Sequence, residues 1–154
     1  MEKNALAGLA IVSLTLSGTV TSLLYKRLRT YLSLPAVFVV MGSLMAAGYA
    51  IVSGASSYST VIAGMVTTGL RGGLFLANLN IWRLQITRPE IRGTVVGMGT
   101  MAVFAGQFVS PIAVEALHSV LSLPQTFLAA GGLMALLGVG YLGLAMQSRK
   151  VATS

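Results

Sequence analysis

With 154 residues, 55% of them hydrophobic and only 8% charged, and a net charge of +7, the chain has about a third of the roughly 25% charge that wets a soluble domain, which excludes a water-soluble fold. It has no Cys and no Asp, so a disulfide framework and a thiolate metal site are out, and a catalytic set could draw only on Glu2, Glu90, Glu115 and His118, too few for an enzyme. The ten Lys and Arg are scattered between apolar runs and form no patch, which excludes nucleic acid as a partner; no cofactor and no metal is expected.

The first apolar window, residues 5–24, holds no charge and is closed by Lys26, Arg27 and Arg29. A window of about 20 apolar residues, rising 1.5 Å each, crosses a bilayer core. It is not a secretory leader, because the basic cluster follows the apolar run and no A-x-A-like cleavage site follows it. The second window, 35–53, is also uncharged and starts at Pro35, where the missing N–H costs a helix nothing. The third, 59–82, contains one charge, Arg71. The fourth, 94–114, ends at Glu115, and the fifth, 124–146, has nothing more polar than glycine or tyrosine between Phe127 and Met146. Five such windows leave too little polar sequence to cover them as buried helices of a soluble protein. The expected fold is therefore all-α: one polytopic membrane domain, 1–154, with five transmembrane helices. The connectors are short, so consecutive helices are expected to be antiparallel neighbours.

Charge in the connectors sets the orientation. Lys26, Arg27 and Arg29, then Arg83, Arg88 and Arg92, then Arg149 and Lys150 follow the first, third and fifth windows, and the opposite side has only Lys3. The positive-inside rule puts the C-terminus in the cytoplasm and the N-terminus outside. An odd number of spans with an outside start raises the expectation that another segment precedes this one in the complete protein.

Polar residues within spans mark where a helix turns away from lipid. The first span carries Ser13, Thr15, Ser17, Thr19, Thr21 and Ser22. On the third, Thr60, Gly64, Thr67, Arg71, Phe75, Asn78 and Trp82 follow one another at steps of three or four, a single helical stripe. The fourth puts Thr100, Gln107 and Glu115 on a stripe, while the second and fifth have almost no polar residues. Spans one, three and four are thus expected to face a cavity and spans two and five lipid. Arg71 lies near mid-span, where a charge costs about 2.5–3.5 kcal/mol on insertion scales. It serves either a watery cavity or the carbonyls of a neighbouring backbone brought close at Gly69, Gly72 and Gly73. The substrate-cavity candidates are Arg71, Asn78, Gln107, Thr67, Thr15 and Thr19, although hydroxyls such as the last two also bond back to their own helix. Gly69-x-x-x-Gly73 and Gly93-x-x-x-Gly97 have small-residue packing spacing. Gly138-x-Gly-x-x-Gly143 matches a dinucleotide fingerprint, but it sits inside an apolar span with no strand before it and is a chance match.

Three segments resemble the major facilitator superfamily. Residues 63–78, Ala-Gly-Met-Val-Thr-Thr-Gly-Leu-Arg-Gly-Gly-Leu-Phe-Leu-Ala-Asn, are similar to its helix ten. Arg88-Pro89-Glu90-Ile91-Arg92-Gly93 resembles its P-E-x-R-G loop between helices ten and eleven. Gly106 to Ile112, Gly-Gln-Phe-Val-Ser-Pro-Ile, resembles its G-x-x-x-G-P segment, with Ser110 in place of the second glycine. The loop after span one, Tyr25 to Ser33, keeps the family's positive charge but lacks its glycines and aspartate. The resemblance implies helices eight to twelve of the fold, with eight, ten and eleven lining the cavity and nine and twelve facing lipid. It implies the C-terminal part of a secondary transporter, with the drug-exporter type as the finer reading, in a bacterial plasma (inner) membrane. Such a protein moves a small-molecule substrate by alternating access and needs the missing N-terminal half for its second wall. The other readings are a non-transporting helper or scaffold membrane protein, and a small transporter that works by self-association.

Overall fold

The computed structural model describes residues 2–151, with side chains described over residues 5–143. Arg149 and Lys150, counted above toward orientation, have side chains outside the described residues. Five α-helices account for nearly all of it: α1 Glu2–Arg29, α2 Leu34–Ser53, α3 Tyr58–Ile86, α4 Arg92–His118 and α5 Leu123–Val151, with a 3₁₀ turn Pro89–Ile91 before α4. Each apolar window lies within one helix, and all five helices are long and apolar enough to cross a membrane. There is no strand among the described residues. The protein is an integral membrane protein by this measure, and its outer surface fits that: Leu23, Phe108 and Val120 are 80%, 76% and 81% exposed, a surface that water would not favour.

Local chemistry sets the helix ends. Ser33 caps α2 by accepting the Ala36 N–H, with Pro35 in the first turn, and Ser57 caps α3 by accepting the Thr60 N–H at 3.3 Å. The basic residues Lys26, Arg27 and Arg29 occupy the last turn of α1, where they complement the helix dipole. Beyond Ile86 the chain leaves the helix because Arg88 precedes a proline and is held extended, at ψ 145°.

The packing order departs from the chain order. α1 lies against α3, α3 against α2, and α2 against α5. The expectation that consecutive helices are neighbours holds closely for α2 and α3 alone, since α4 touches α3 and α5 only lightly. Glycines explain the order. A Cβ on Gly69 would overlap the Ser17 hydroxyl and the Leu14 carbonyl, and one on Gly73 would overlap the Gly18 carbonyl, so these glycines seat α1 on α3. Gly48 and Gly64 do the same for α2 on α3, and Gly42 would place a Cβ 3.1 Å from Gly138 Cα on α5. Gly138, the first glycine of the chance fingerprint, is thus a packing residue. Gly93 and Gly97 meet nothing within 4 Å, so this pair does not form the packing face that its spacing suggests.

One part of the expected division into inward and outward helices is revised: α2, expected to face lipid, holds most of the core. The core cluster is Tyr25, Val37, Phe38, Met41 and Leu74, three of them from α2, and α4 has no buried residue. α2 is central because its bulky apolar residues fill volume while Gly42 and Gly48 admit its neighbours closely. Phe38 stacks on Tyr141 with ring centroids 4.8 Å apart and meets Trp82 edge-on at 6.1 Å, tying α2 to α5 and α3. At the other end Ser53 donates to the Pro124 carbonyl at 2.9 Å, and the Tyr58 hydroxyl donates to the Leu6 carbonyl of α1.

Candidate functional site

α4 leans away from the other helices and leaves a cleft of about 770 Å³. Arg71, Phe75 and Arg83 of α3 form one wall, α4 from Gly99 to Pro111 forms the other, and Met134 of α5 lies at the side. The size falls in the range of small-molecule sites, about 300–1,000 Å³. A second cavity of about 230 Å³ lies between α2, α3 and α5, lined by Phe38, Met41, Met45 and Tyr141. Arg71, Phe75 and Met134 line both, so Arg71 stands on the partition between them.

The surroundings of Arg71 are soft. Its Nη1 donates to Met45 Sδ at 3.0 Å, and its guanidinium carbon lies 5.2 Å from the centroid of the Phe75 ring. A thioether is a weak acceptor and a ring face holds a cation by its quadrupole alone. A guanidinium has five N–H donors, and most of its hydrogen-bonding capacity is left for what occupies the cavities. Gln107 and Ser110 face it from the α4 wall of the same cleft, with Pro111 beside them. Pro111 has no N–H for the Gln107 carbonyl four residues before it, so that acceptor lacks its helical donor.

Of the six cavity candidates, Arg71 and Gln107 come together on the cleft and four do not. Thr15 donates to the Ile11 carbonyl at 2.9 Å, Thr19 to Thr15 at 3.1 Å and Thr67 to Ala63 at 2.8 Å. Each hydroxyl is satisfied within its own helix, which is why it needs no cavity. Asn78 is completely buried away from the cleft: it accepts from the Tyr25 hydroxyl at 2.9 Å and donates to the Leu34 carbonyl at 3.2 Å. In the connector, Pro89, Glu90, Arg92 and Gly93 are exposed, as is Arg88. Arg92 gives its Nε to the Thr87 carbonyl at 3.4 Å.

Arg83 is the cleft residue that reading the sequence missed, because it stands beyond the apolar window among the loop charges. In the fold it reaches across to α4, where any side chain at Gly99 would overlap its guanidinium. The one available signal was Gly99 itself, a vacancy on α4 at the height of Arg83.

Over 105 residues the chain is 25% identical to the proton myo-inositol cotransporter of Homo sapiens, an alignment that takes in 68% of this chain and 15% of that protein. The chain therefore spans a small part of the length of this relative. No protein-family model matches the chain. No solved structure matches it.

Proposed function

We propose that the chain is part of a secondary transporter of the major facilitator type, moving a small solute by alternating access through the cleft between α3 and α4. The observation that carries this reading is the cleft itself: a mid-helix arginine and a glutamine on facing walls of a space that suits a small molecule. The likeness to a cotransporter and the segments at 63–78, 88–93 and 106–112 support it. Export of the drug-exporter kind is the finer reading of the resemblance as a whole. A bacterial plasma membrane, an outside N-terminus and a cytoplasmic C-terminus follow from the resemblance and the loop charges.

A second wall is part of the proposal. α4 has no buried residue, and Met101, Phe104 and Phe108 are exposed on it. Lipid can cover these, but it does not complete a midplane site, which in such transporters is built between two repeats. The partner is the N-terminal half of the same transporter. Solute uptake is measured in vesicles holding the 154-residue chain alone and in vesicles that also hold a separately expressed N-terminal half. Transport only with both halves supports the proposal. Saturable transport by the chain alone replaces it with the self-associating transporter, and no transport in either leaves the helper or scaffold reading.

A further inference from the structure

The charge inventory of the cleft is one-sided. It is lined by two guanidiniums, Arg71 and Arg83, and no carboxylate is among the lining residues. Glu90 is in the exposed connector and Glu115 lies eight residues past Gln107, about 12 Å farther along α4. In the low dielectric between helices, two uncompensated positive charges repel a cation strongly. A neutral polyol would gain little from a charged donor that costs so much to insert. A guanidinium fork matches the paired oxygens of a carboxylate or phosphate, and such charge-assisted bonds are about twice as strong as neutral ones. The present partners of Arg71, a thioether and a ring face, are cheap to displace.

We infer that the cleft between α3 and α4 binds a small oxyanion, a carboxylate- or phosphate-bearing solute, with Arg71 as its seat and Arg83 at the mouth nearer the α3–α4 connector. The two arginines are twelve residues apart on one helix, about 18 Å along its axis, too far to grip one small ion from the same height. They are two stations on one path. Gly99 keeps the outer station open, since a side chain there would overlap the Arg83 guanidinium. The inference rests on the proposal that this cleft is a solute site, and it names the class of solute.

The test is equilibrium binding to the 154-residue chain in lipid nanodiscs, both alone and together with the separately expressed N-terminal half, with labelled inorganic phosphate and labelled succinate as the two anionic probes. Myo-inositol is the neutral probe and tetraphenylphosphonium the cationic one. At least one anion is expected to bind saturably and to weaken as salt rises. R71Q lowers that affinity about tenfold to a hundredfold, the worth of a hydrogen bond to a charged group. R71K keeps the charge without the fork and falls in between. G99V displaces Arg83 and costs about threefold at low salt and nothing at high salt. Should R71Q fail to yield helical protein, R71K and G99V decide the question in its place. Binding of neither anion, or anion binding that R71K and G99V leave unchanged, overturns the inference. Its failure is distinct from that of the transport reading. Anion binding without transport in vesicles holding both halves removes the transporter and keeps the oxyanion site. Inositol transport that neither phosphate nor succinate inhibits does the reverse.

Discussion

Tyr25 and Asn78, on different helices and fifty-three residues apart, hold each other at 2.9 Å through the phenol hydroxyl and the amide oxygen, and the Asn78 amide nitrogen reaches on to the Leu34 carbonyl at 3.2 Å. One buried amide therefore fastens α1, α3 and the start of α2. Both ends of the amide are satisfied, so removing it strands the buried Tyr25 hydroxyl and takes a second donor from the Leu34 carbonyl, which keeps its helical one.

From that relationship N78L is expected to lower stability by about 1–3 kcal/mol, the cost of leaving buried polar groups unpaired. Y25F should cost less, because it orphans only the amide oxygen. The double variant should cost less than the sum of the two, since they share one bond. Unfolding of the purified chain in graded SDS measures all three. Strict additivity would show that the bond contributes nothing.

The glycines sort into two kinds that sequence spacing does not separate. G73A forces a Cβ into the Gly18 carbonyl and G69A into Leu14 and Ser17, so each should weaken the α1–α3 contact by about 1–3 kcal/mol, as overpacking does. G72A and G93A meet open space and should be neutral within about 0.5 kcal/mol. Disulfide cross-linking between cysteines placed on α1 and α3 reads the contact directly. A G93A variant as damaging as G73A would show that α4 packs closely after all.

How much of this was legible follows from which interactions a single helix can display. The five helices were legible because length and apolar composition suffice for them, and Arg71 with Gln107 because intramembrane polarity is rare enough to stand out. Neighbour choice was not, because it depends on matched surfaces of two helices. Gly69 and Gly73 have a readable spacing, but Gly18 and Leu14 opposite them do not announce themselves. The hydroxyls of Thr15 and Thr19 looked like cavity groups and are absorbed by their own backbone, a local bond that polarity counts ignore. Asn78 shared a stripe with Arg71, and seven residues turn a helix by about 700°, so the two share a face, but they stand about 10 Å apart along the axis, which sets Asn78 level with Tyr25 and Leu34 and Arg71 level with the cleft.

Orientation is testable without any transport assay. With the N-terminus outside, single cysteines at Ser56 and His118 should react with an impermeant maleimide applied to intact cells. Those at Thr87 and Glu90 should react only after the membrane is opened. These positions stand at opposite ends of α3 and α4, so the two pairs must behave oppositely if both helices span. The inverted pattern would reverse the orientation, His118 labelling like Glu90 would show that α4 does not cross, and uniform labelling would show that neither α3 nor α4 does.

The sharpest prediction concerns Arg71, because the packing and functional readings of it diverge in sign. Inserting this charge costs about 2.5–3.5 kcal/mol, and what it receives within the fold is a thioether at 3.0 Å and a ring face. Such partners return only a fraction of the cost: a cation–π contact contributes roughly 0.5–2 kcal/mol. If the arginine is kept for a solute, R71A relieves the fold of a burden while taking away the seat. Membrane abundance of the complete transporter should then hold or rise, and transport should fall at least about tenfold, the equivalent of about 1.4 kcal/mol. G73L, which drives a side chain into α1, is the contrast, expected to lower abundance and transport together. The measurement is initial transport rate divided by membrane abundance for both variants in the same cells. A parallel fall of rate and abundance in R71A, like that in G73L, would make Arg71 a packing residue and leave the cleft without its charged seat.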